Sequence, residues 1–400
     1  MAYTLKMVKD RNLEQEFEAR TCGNYFDHVW GVHPIADIPE NRLLKFAGFK
    51  PSVFEFSANQ TIIEGESAYF SFLKNTYSIN FILSQLRMIF FLIKLIRKEK
   101  IQLLLSTDPY FGGLLVIILK FFTKAKVIIW VVANYDEIYQ ASGVLAFPRI
   151  FKKKWIEKCV EKFVFRHADL IAGGNENNYE NAIKNGASRN KSTIFPVSKL
   201  IYPAHLSEPS KRNKDIFFNT VITTNKYFIC VGRLISLKHP EDAIKAFAII
   251  AEKFNNCGLI MAGDGIMLDE LKALALNLEI NEKVFFLGNV SQQRLAEILP
   301  GCFAALSPLT GRALIEVALS GLPIVTYDRD WQKDFIEKSG SGVAVEYRNW
   351  MEMGQEGIKI LSDLESARRY GLKARQYTLN FCNYEKIFEH EKSEFDKLIK

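Results

Sequence analysis

The stretch "YFICVGRLISLKHPEDAIKAFAIIAEKF", residues 227–254, passes from an apolar run through a short polar loop into a periodic segment. The run reads as a strand buried on both faces. Pro240 stands at a first-turn position with the acids Glu241 and Asp242 behind it. Ile244, Phe247, Ala248, Ala251 and Phe254 then fall on one helical stripe. The segment is therefore a strand feeding an amphipathic helix.

The same pattern continues outward. "GLIMAG", "VFFLG", "FAALS", "LPIVTYD" and "GVAVEY" are further short apolar runs, and "IMLDELKALALNL" repeats the helix design with Met267, Leu271, Leu274 and Leu278. Alternating units of this kind build a parallel sheet, which binds ligands at the carboxyl ends of its strands. The first half is a noisier version, with candidate strands "FDHVWGVHP", "IQLLLS", "KVIIWVVAN", "DLIAGG" and "STIFPV". Between the halves, residues 198–225 lose periodicity and gain Pro, Ser and charge, as an interdomain linker does. The expected fold class is α/β, with two Rossmann-like domains and parallel sheets. Residues 1–200 form the first domain, 201–225 the linker and 226–363 the second domain; 364–400 form a helical tail packing back on the first domain.

Composition narrows the partners. The chain has 400 residues, 48% hydrophobic and 24% charged, with a net charge of +7. That modest excess favours anionic small ligands or a membrane surface over nucleic acid. Six cysteines show neither a CxxC pair nor metal-ligand spacing, which suits a reducing compartment. "MAYTLKMVKDRNLEQEFEAR" is charged throughout and lacks an apolar signal core. The runs "FGGLLVIILKFF" and "VIIWVVA" fall short of the roughly 20 residues of a bilayer span, so no transmembrane helix is expected. The six histidines show no ligand spacing; His33, at a strand end, is the best placed of them for a site role.

Two loops at strand ends carry the chemistry. Gly232 allows a tight turn, and Arg233 and Lys238 lie on the loop before the helix at Pro240, where unpaired N–H groups and the helix dipole favour an anion. The alternative is an exposed charged loop. In "LSPLTGRALIEVALSGLPIVTYDRD", residues 306–330, Thr310 and Gly311 enter a second short helix. Arg312, Ala313 and Leu314 lie in its first turn, and Glu316 leans back toward its start. A carboxylate there accepts hydrogen bonds from a vicinal diol such as ribose; otherwise it is a solvated helix residue or a cap partner. The turn Gly263, Asp264, Gly265 either touches the same ligand or merely caps a helix. "DRD", 328–330, follows a strand and is not read as a metal site.

"VGRLISLKHPEDAIKAF", "LIMAGDGIMLDEL", "VFFLGNV" and "RALIEVALSGLPIVTYD" resemble, in order and spacing over about residues 226–346, the landmarks of GT-B glycosyltransferases of family 4. The resemblance implies that Arg233 and Lys238 hold the donor diphosphate, that Glu316 binds the ribose, and that Asn289 and Val290 meet the base through backbone groups. It implies transfer of a sugar from a nucleotide-diphosphate sugar of UDP or GDP type to a saccharide or lipid-linked acceptor, with retention and without a metal or other cofactor. The chain departs from the family at three places. Pro308 stands eight positions before Glu316, where a glutamate near the donor sugar is usual, so that contact is lost or falls to Thr310, Arg312 or a group from the first domain. "LKMVKDRNLEQEF" lacks the glycine-rich turn after the first strand, which leaves Arg11 or Arg20 as substitutes or as plain surface residues. Asn134, with Asp136 behind it, takes the place of a histidine near the reacting carbon; the alternative for both is a plain loop. These departures also fit a GT-B-shaped scaffold subunit without catalysis, while a nucleotide-sugar epimerase would need carboxylate and histidine groups not found here.

The positive charge is concentrated. "RIFKKKWIEKCVEKFVFR", residues 149–166, has seven Lys or Arg against two Glu, interleaved with aromatics, and "NFILSQLRMIFFLIKLIRKEK" ends basic. Both read either as helices packed on the first sheet or as interfacial helices on an anionic bilayer. The second reading places the chain in the cytoplasm, peripherally on the cytoplasmic face of a membrane.

Overall fold

The structure, a computed structural model, describes residues 4–10, 21–23, 25–36, 52–73, 75–148, 150–209 and 226–400. Arg11 and Arg20 lie outside the described residues. The chain forms two compact units, Met1–Val197 with Glu385–Lys400, and Ser198–Tyr384. Each is an α/β assembly built around a parallel sheet, as the sequence pattern predicts.

In the first unit, β1 (Val29–His33) runs parallel to β3 (Gln60–Glu64), and β2 (Ser52–Ser57) runs antiparallel to β3. A separate parallel sheet has the order β4 (Leu103–Ser106), β5 (Lys126–Val131), β6 (Leu170–Gly173) and β7 (Ser192–Ile194). The β2–β3 hairpin has no counterpart in the sequence reading. The physical reason is that β2 is exposed along nearly its whole length, so no alternation of buried and exposed residues announces it. The helices are α1 (Leu5–Asp10), α2 (Tyr77–Lys98), α3 (Phe111–Phe122), α4 (Tyr135–Ser142), α5 (Lys154–His167) and α6 (Glu176–Lys184). Ile117, Val127, Ile129, Val164 and Ile171 form the core beneath β4–β7.

Contrary to the expectation from uninterrupted runs, α2 is long and apolar enough to cross a membrane, with 22 residues and a third of its most apolar window buried. Asn80, Ser84, Gln85 and Arg87 break its apolar run in sequence, yet each is used locally. Asn80 bonds both the N–H and the carbonyl of Phe70, and Ser84 accepts from the Tyr69 N–H. Gln85 donates to the Glu66 carbonyl, and Arg87 stacks over Tyr69. Met88, Leu92, Ile93 and Ile96 pack with Ile63 and Leu119. One face of α2 is thereby fastened to the protein.

The second unit has six parallel strands in the order β10 (Val284–Gly288), β9 (Cys257–Ala262), β8 (Lys226–Val231), β11 (Ala304–Ser307), β12 (Ile324–Tyr327) and β13 (Gly342–Val345). Its helices are α7 (Pro240–Lys253), α8 (Leu268–Asn277), α9 (Gln292–Ile298), α10 (Ala313–Leu319), α11 (Asp330–Ser339), α12 (Trp350–Ser362) and α13 (Leu364–Phe381). Side chains of β8 alternate between two cores. Phe228 and Cys230 pack with Ile244, Phe247 and Ile250 of α7, while Tyr227, Ile229 and Val231 pack with Leu314, Val317 and Ala318 of α10. Burial on both faces is why these strands read as continuous apolar runs.

Residues 201–209 of the expected linker are packed into the second unit: Ile201 meets Ile315 and Leu319, and the buried His205 is hydrogen-bonded to Gln292 at 3.0 Å. Residues 210–225 lie outside the described residues. The C-terminal segment is divided rather than forming one tail on the first domain. α13 belongs to the second unit, and from Glu385 onward α14 (Tyr384–Ile399) belongs to the first, where Phe395 packs among Tyr25, Phe26 and Phe195.

A Cβ at Gly371 of α13 would lie 2.0 Å from the carbonyl oxygen of Gly321, so only glycine lets α13 approach the end of α10. Gly371→Ala is expected to destabilise the second unit by about 1–3 kcal/mol, the usual cost of overpacking. Thermal unfolding checks it, and an unchanged midpoint would show that this close approach is not needed.

Candidate functional site

The strand order places a reversal between β8 and β11: the chain proceeds from β8 toward β9 and β10, and from β11 toward β12 and β13. A crevice outside the carboxyl ends of two such strands is where open α/β sheets bind ligands. The two loops singled out in the sequence both start there.

After β8, Gly232 adopts φ 156° and a short 3-10 turn, Ser236–Lys238, leads into α7, with Pro240 in the first turn as predicted. After β11, the chain passes Pro308, Thr310 and Gly311 (φ 69°) before α10. The loops meet at Lys238, whose Nζ lies 3.3 Å from where a Gly311 Cβ would stand. Gly311 thus serves twice, through its left-handed backbone and by leaving room for the ammonium. Thr310 lies beside Gly232, 3.9 Å from where a Cβ would project.

Lys238 is the electrostatic centre of the site. Burial and the neighbouring Arg233 charge hold its pKa below the ordinary lysine value, and Asp330 offsets this only in part. Glu316, 3% exposed, sits in the first turn of α10 with Oε1 3.8 Å from Nε of Arg312. A buried acid, Glu316, is therefore set on the second loop's helix, with the Asp330 charge acting on Lys238 of the first. That arrangement can hold an anion next to a hydroxylated group.

The Gly263–Gly265 turn is the support under this loop. The Gly232 N–H donates to the Ala262 carbonyl, the Leu234 N–H to Asp264, and the Gly263 N–H to Gly288, at 2.9–3.0 Å. A Cβ at Gly263 would lie 1.9 Å from the Gly232 carbonyl oxygen, and one at Gly265 2.3 Å from that of Leu234. Asp264 is exposed, and its Oδ1 accepts from the Gly265 N–H. Exposed Asn289 and half-buried Val290 follow directly on Gly288 and so stand at the rim of the same laced loops. Within α10, Ala313 and Leu314 are core residues, and the Leu314 N–H is already given to the Gly311 carbonyl.

Asn134 and Asp136 belong to the first unit and have structural occupations. Asn134 caps α4 by accepting from the Glu137 N–H, and its Nδ2 donates to Asn177. Burial pushes the Asp136 carboxyl up, but hydrogen bonds from Lys158 and Asn185 outweigh it and hold the group below the usual range. Lys154 and Lys158 both pair with it, at 3.3 and 2.6 Å. His33 ends β1, and burial lowers its pKa to about 4.

Two site residues escaped the sequence reading. Asp330 was weighed only as part of a metal motif, whereas its charge acts on Lys238. Gln332, two positions on and 1% exposed, accepts from the Gly311 N–H and donates to the Pro308 carbonyl and Thr326 Oγ1, which sets the loop after β11. A buried glutamine leaves no mark in a pattern of charges. Among the described residues, the hydroxyls of Ser307 and Thr310 flank Pro308, buried and without a partner.

Residues 211–377 match the profile of the family described as Glycosyl transferases group 1, within which the loops at Lys238 and Glu316 both fall. The second unit belongs to the glycosyl transferases group 1 family. A curated relative, N-acetyl-alpha-D-glucosaminyl L-malate synthase of Bacillus anthracis, is 25% identical over 249 residues. That match covers 55% of this chain and only about three-fifths of the relative's own length, 63%. A sucrose-phosphate synthase from Thermosynechococcus elongatus superposes with a TM-score of 0.73 at 14% identity, over 99% of this chain and 94% of its own. The Anabaena protein HepE, in complex with UDP and glucose, superposes with a TM-score of 0.65 at 13% identity, over 84% and 86%. These structural likenesses establish the GT-B fold class for the chain.

The lowered Lys238 pKa gives a directional expectation. Its ammonium is lost at a pH below that of an ordinary lysine, so affinity for a nucleoside diphosphate should fall as pH rises through that point. Lys238→Arg, whose charge does not titrate there, should flatten the profile. Calorimetric titration with UDP and GDP against pH measures both; parallel profiles in the two proteins would remove Lys238 from the ligand.

Proposed function

We propose that the chain is a glycosyltransferase that moves a sugar from a nucleotide-diphosphate sugar, UDP or GDP type, to a saccharide or lipid-linked acceptor in glycoconjugate biosynthesis. One observation carries this reading: at the strand-order reversal, Lys238 reaches Gly311 at the head of the segment that bears the buried Glu316. Arg233 and Lys238 take the diphosphate, Glu316 takes the ribose hydroxyls, and Asn289 and Val290 border the base. Positive charge fixed where the leaving diphosphate gathers negative charge lowers the barrier to its departure, so these groups act on turnover. The family resemblance adds retention and metal independence; the first unit supplies the acceptor side.

Lys238→Ala is expected to keep the fold and to lower transfer from nucleotide sugar by about 10²-fold or more, as loss of one transition-state contact does. Glu316→Ala is expected to keep the fold and to lower transfer through weaker donor binding. Release of nucleotide and labelled sugar measures this. Near-wild-type turnover in both variants would overturn the assignment, and nucleotide binding without any turnover in the wild type would favour a scaffold subunit.

An anionic membrane is the proposed setting. On α5, Glu157 and Glu161 are buried at 0% and 2% exposure. Glu157 accepts from the Phe147 N–H, and Glu161 pairs with Lys158. α5 and its entry show Lys152, Lys153, Trp155, Cys159, Lys162, Phe163 and Arg166 to solvent. The exposed Phe121 of α3 adjoins this face through the His167 ring, and Arg97 at the end of α2 donates to the Phe122 carbonyl. The free face of α2 adds Ile79, Ile82, Leu86 and Phe90. A helix fastened along its other face lies in an interface instead of spanning it. Charge reversal at Lys152, Lys153 and Lys162 should weaken binding to anionic vesicles by about 100-fold or more, at about 1 kcal/mol per cation. Flotation with and without anionic lipid is the measurement, and a wild type that floats with neither would exclude the membrane.

A further inference from the structure

The start of α7 is held by a charge network that takes no part in the ligand site itself. Nη1 of Arg348, in the turn after β13, lies 2.7 Å from Glu241 Oε1 and 3.1 Å from Asp242 Oδ2, and also meets Nδ1 of His239. Asp242 is fully buried and accepts from the Tyr327 hydroxyl at 2.7 Å. The Tyr347 hydroxyl meets Nε2 of His239 at 2.9 Å, and Arg329 lies over the Tyr347 ring. His239, Glu241 and Asp242 bring their ligand atoms within 4.8 Å of one another, so two carboxylates stand where a neighbouring positive charge stabilises them. The Arg348 guanidinium supplies that charge.

What this network grips is the residue next to Lys238. His239 has φ 52°, a left-handed backbone on a non-glycine residue that also precedes a proline. It joins the 3-10 turn carrying Lys238 to a helix whose Ile244, Phe247 and Ile250 are anchored in the core. With α7 anchored there, a change in the backbone at His239 would have to be taken up by the turn that carries Lys238. A strained residue persists only where its surroundings over-determine it, and here both ring nitrogens of His239 are held from the turn after β13.

We infer that Arg348 and Tyr347 are positioning residues for Lys238: they hold His239 in its left-handed conformation and so keep the ammonium against Gly311. The inference rests on the reading of Lys238 as a diphosphate ligand. It places part of the binding machinery in the turn after β13, which itself offers the ligand nothing.

The test is calorimetric binding of UDP and GDP to the full chain in wild type, Arg348→Ala, Lys238→Ala and the double variant, with thermal unfolding alongside. Arg348→Ala should bind about ten- to a hundredfold more weakly, the loss that follows removal of one charge-assisted hydrogen bond. In the Lys238→Ala background the same substitution should change binding no further, because a residue acting only through Lys238 has nothing left to act on. Methylguanidinium should restore part of the affinity of Arg348→Ala and leave the double variant unmoved. Should Arg348→Ala fail to fold, Tyr347→Phe carries the test, with a smaller loss that also vanishes in the Lys238→Ala background. Wild-type-like binding in a folded Arg348→Ala, or equal losses with and without Lys238, overturns the inference. A wild type that binds neither nucleotide overturns the diphosphate reading, and the positioning role falls with it.

Discussion

Lys238 keeps a positive charge where both burial and a neighbouring arginine oppose it. A lysine in that situation is held against its preference, and a bound anion relieves it. The surrounding structure serves that arrangement. β8 and β11 lie side by side because the strand order reverses there, Gly311 leaves room for the side chain, and Gln332 fixes the loop that carries Gly311. The opposing acid, Glu316, is one helical turn further on and paired with Arg312.

The loops are joined by main-chain bonds. Gly288 accepts from Gly263, Ala262 from Gly232, and Asp264 from Leu234, so the three loops extend the ladder of the sheet past its strands. Backbone contacts of this kind are insensitive to side-chain identity except where a Cβ would intrude. That condition falls on Gly263 and Gly265, whose places opposite the Gly232 and Leu234 carbonyls admit no side chain.

The second unit was legible because its strands are buried on both faces and its helices carry one apolar stripe each; Pro240 and the Ile244–Phe247–Ala251 stripe located α7 closely. Arg233, Lys238 and Glu316 were legible because charges at helix starts stand out in a chain of apolar runs. Gln332 and Arg348 were not, since Gln332 sets its loop through Pro308 and Gly311, Arg348 meets Glu241 from far along the sequence, and neither sits in a pattern with a period. In the first unit, Asn134 and Asp136 look chemical in sequence because they follow a strand. Their partners Asn177, Lys154, Lys158 and Asn185 lie on other elements and show only when the chain is folded. The exposed β2 hairpin and the polar residues inside α2 escaped for the same reason: local pattern reports burial, and these positions are exposed or meet backbone partners.

The lacing of Gly232, Gly263 and Gly288 separates two kinds of freedom. The frame cannot drift one position at a time, because a methyl group added at Gly263 would strike the neighbouring main chain. Asp264 and Asn289, on the exposed rim, carry no such constraint. Descendants of this chain can therefore exchange rim side chains while the frame beneath stays fixed, so the rim is able to diversify without the fold being rebuilt.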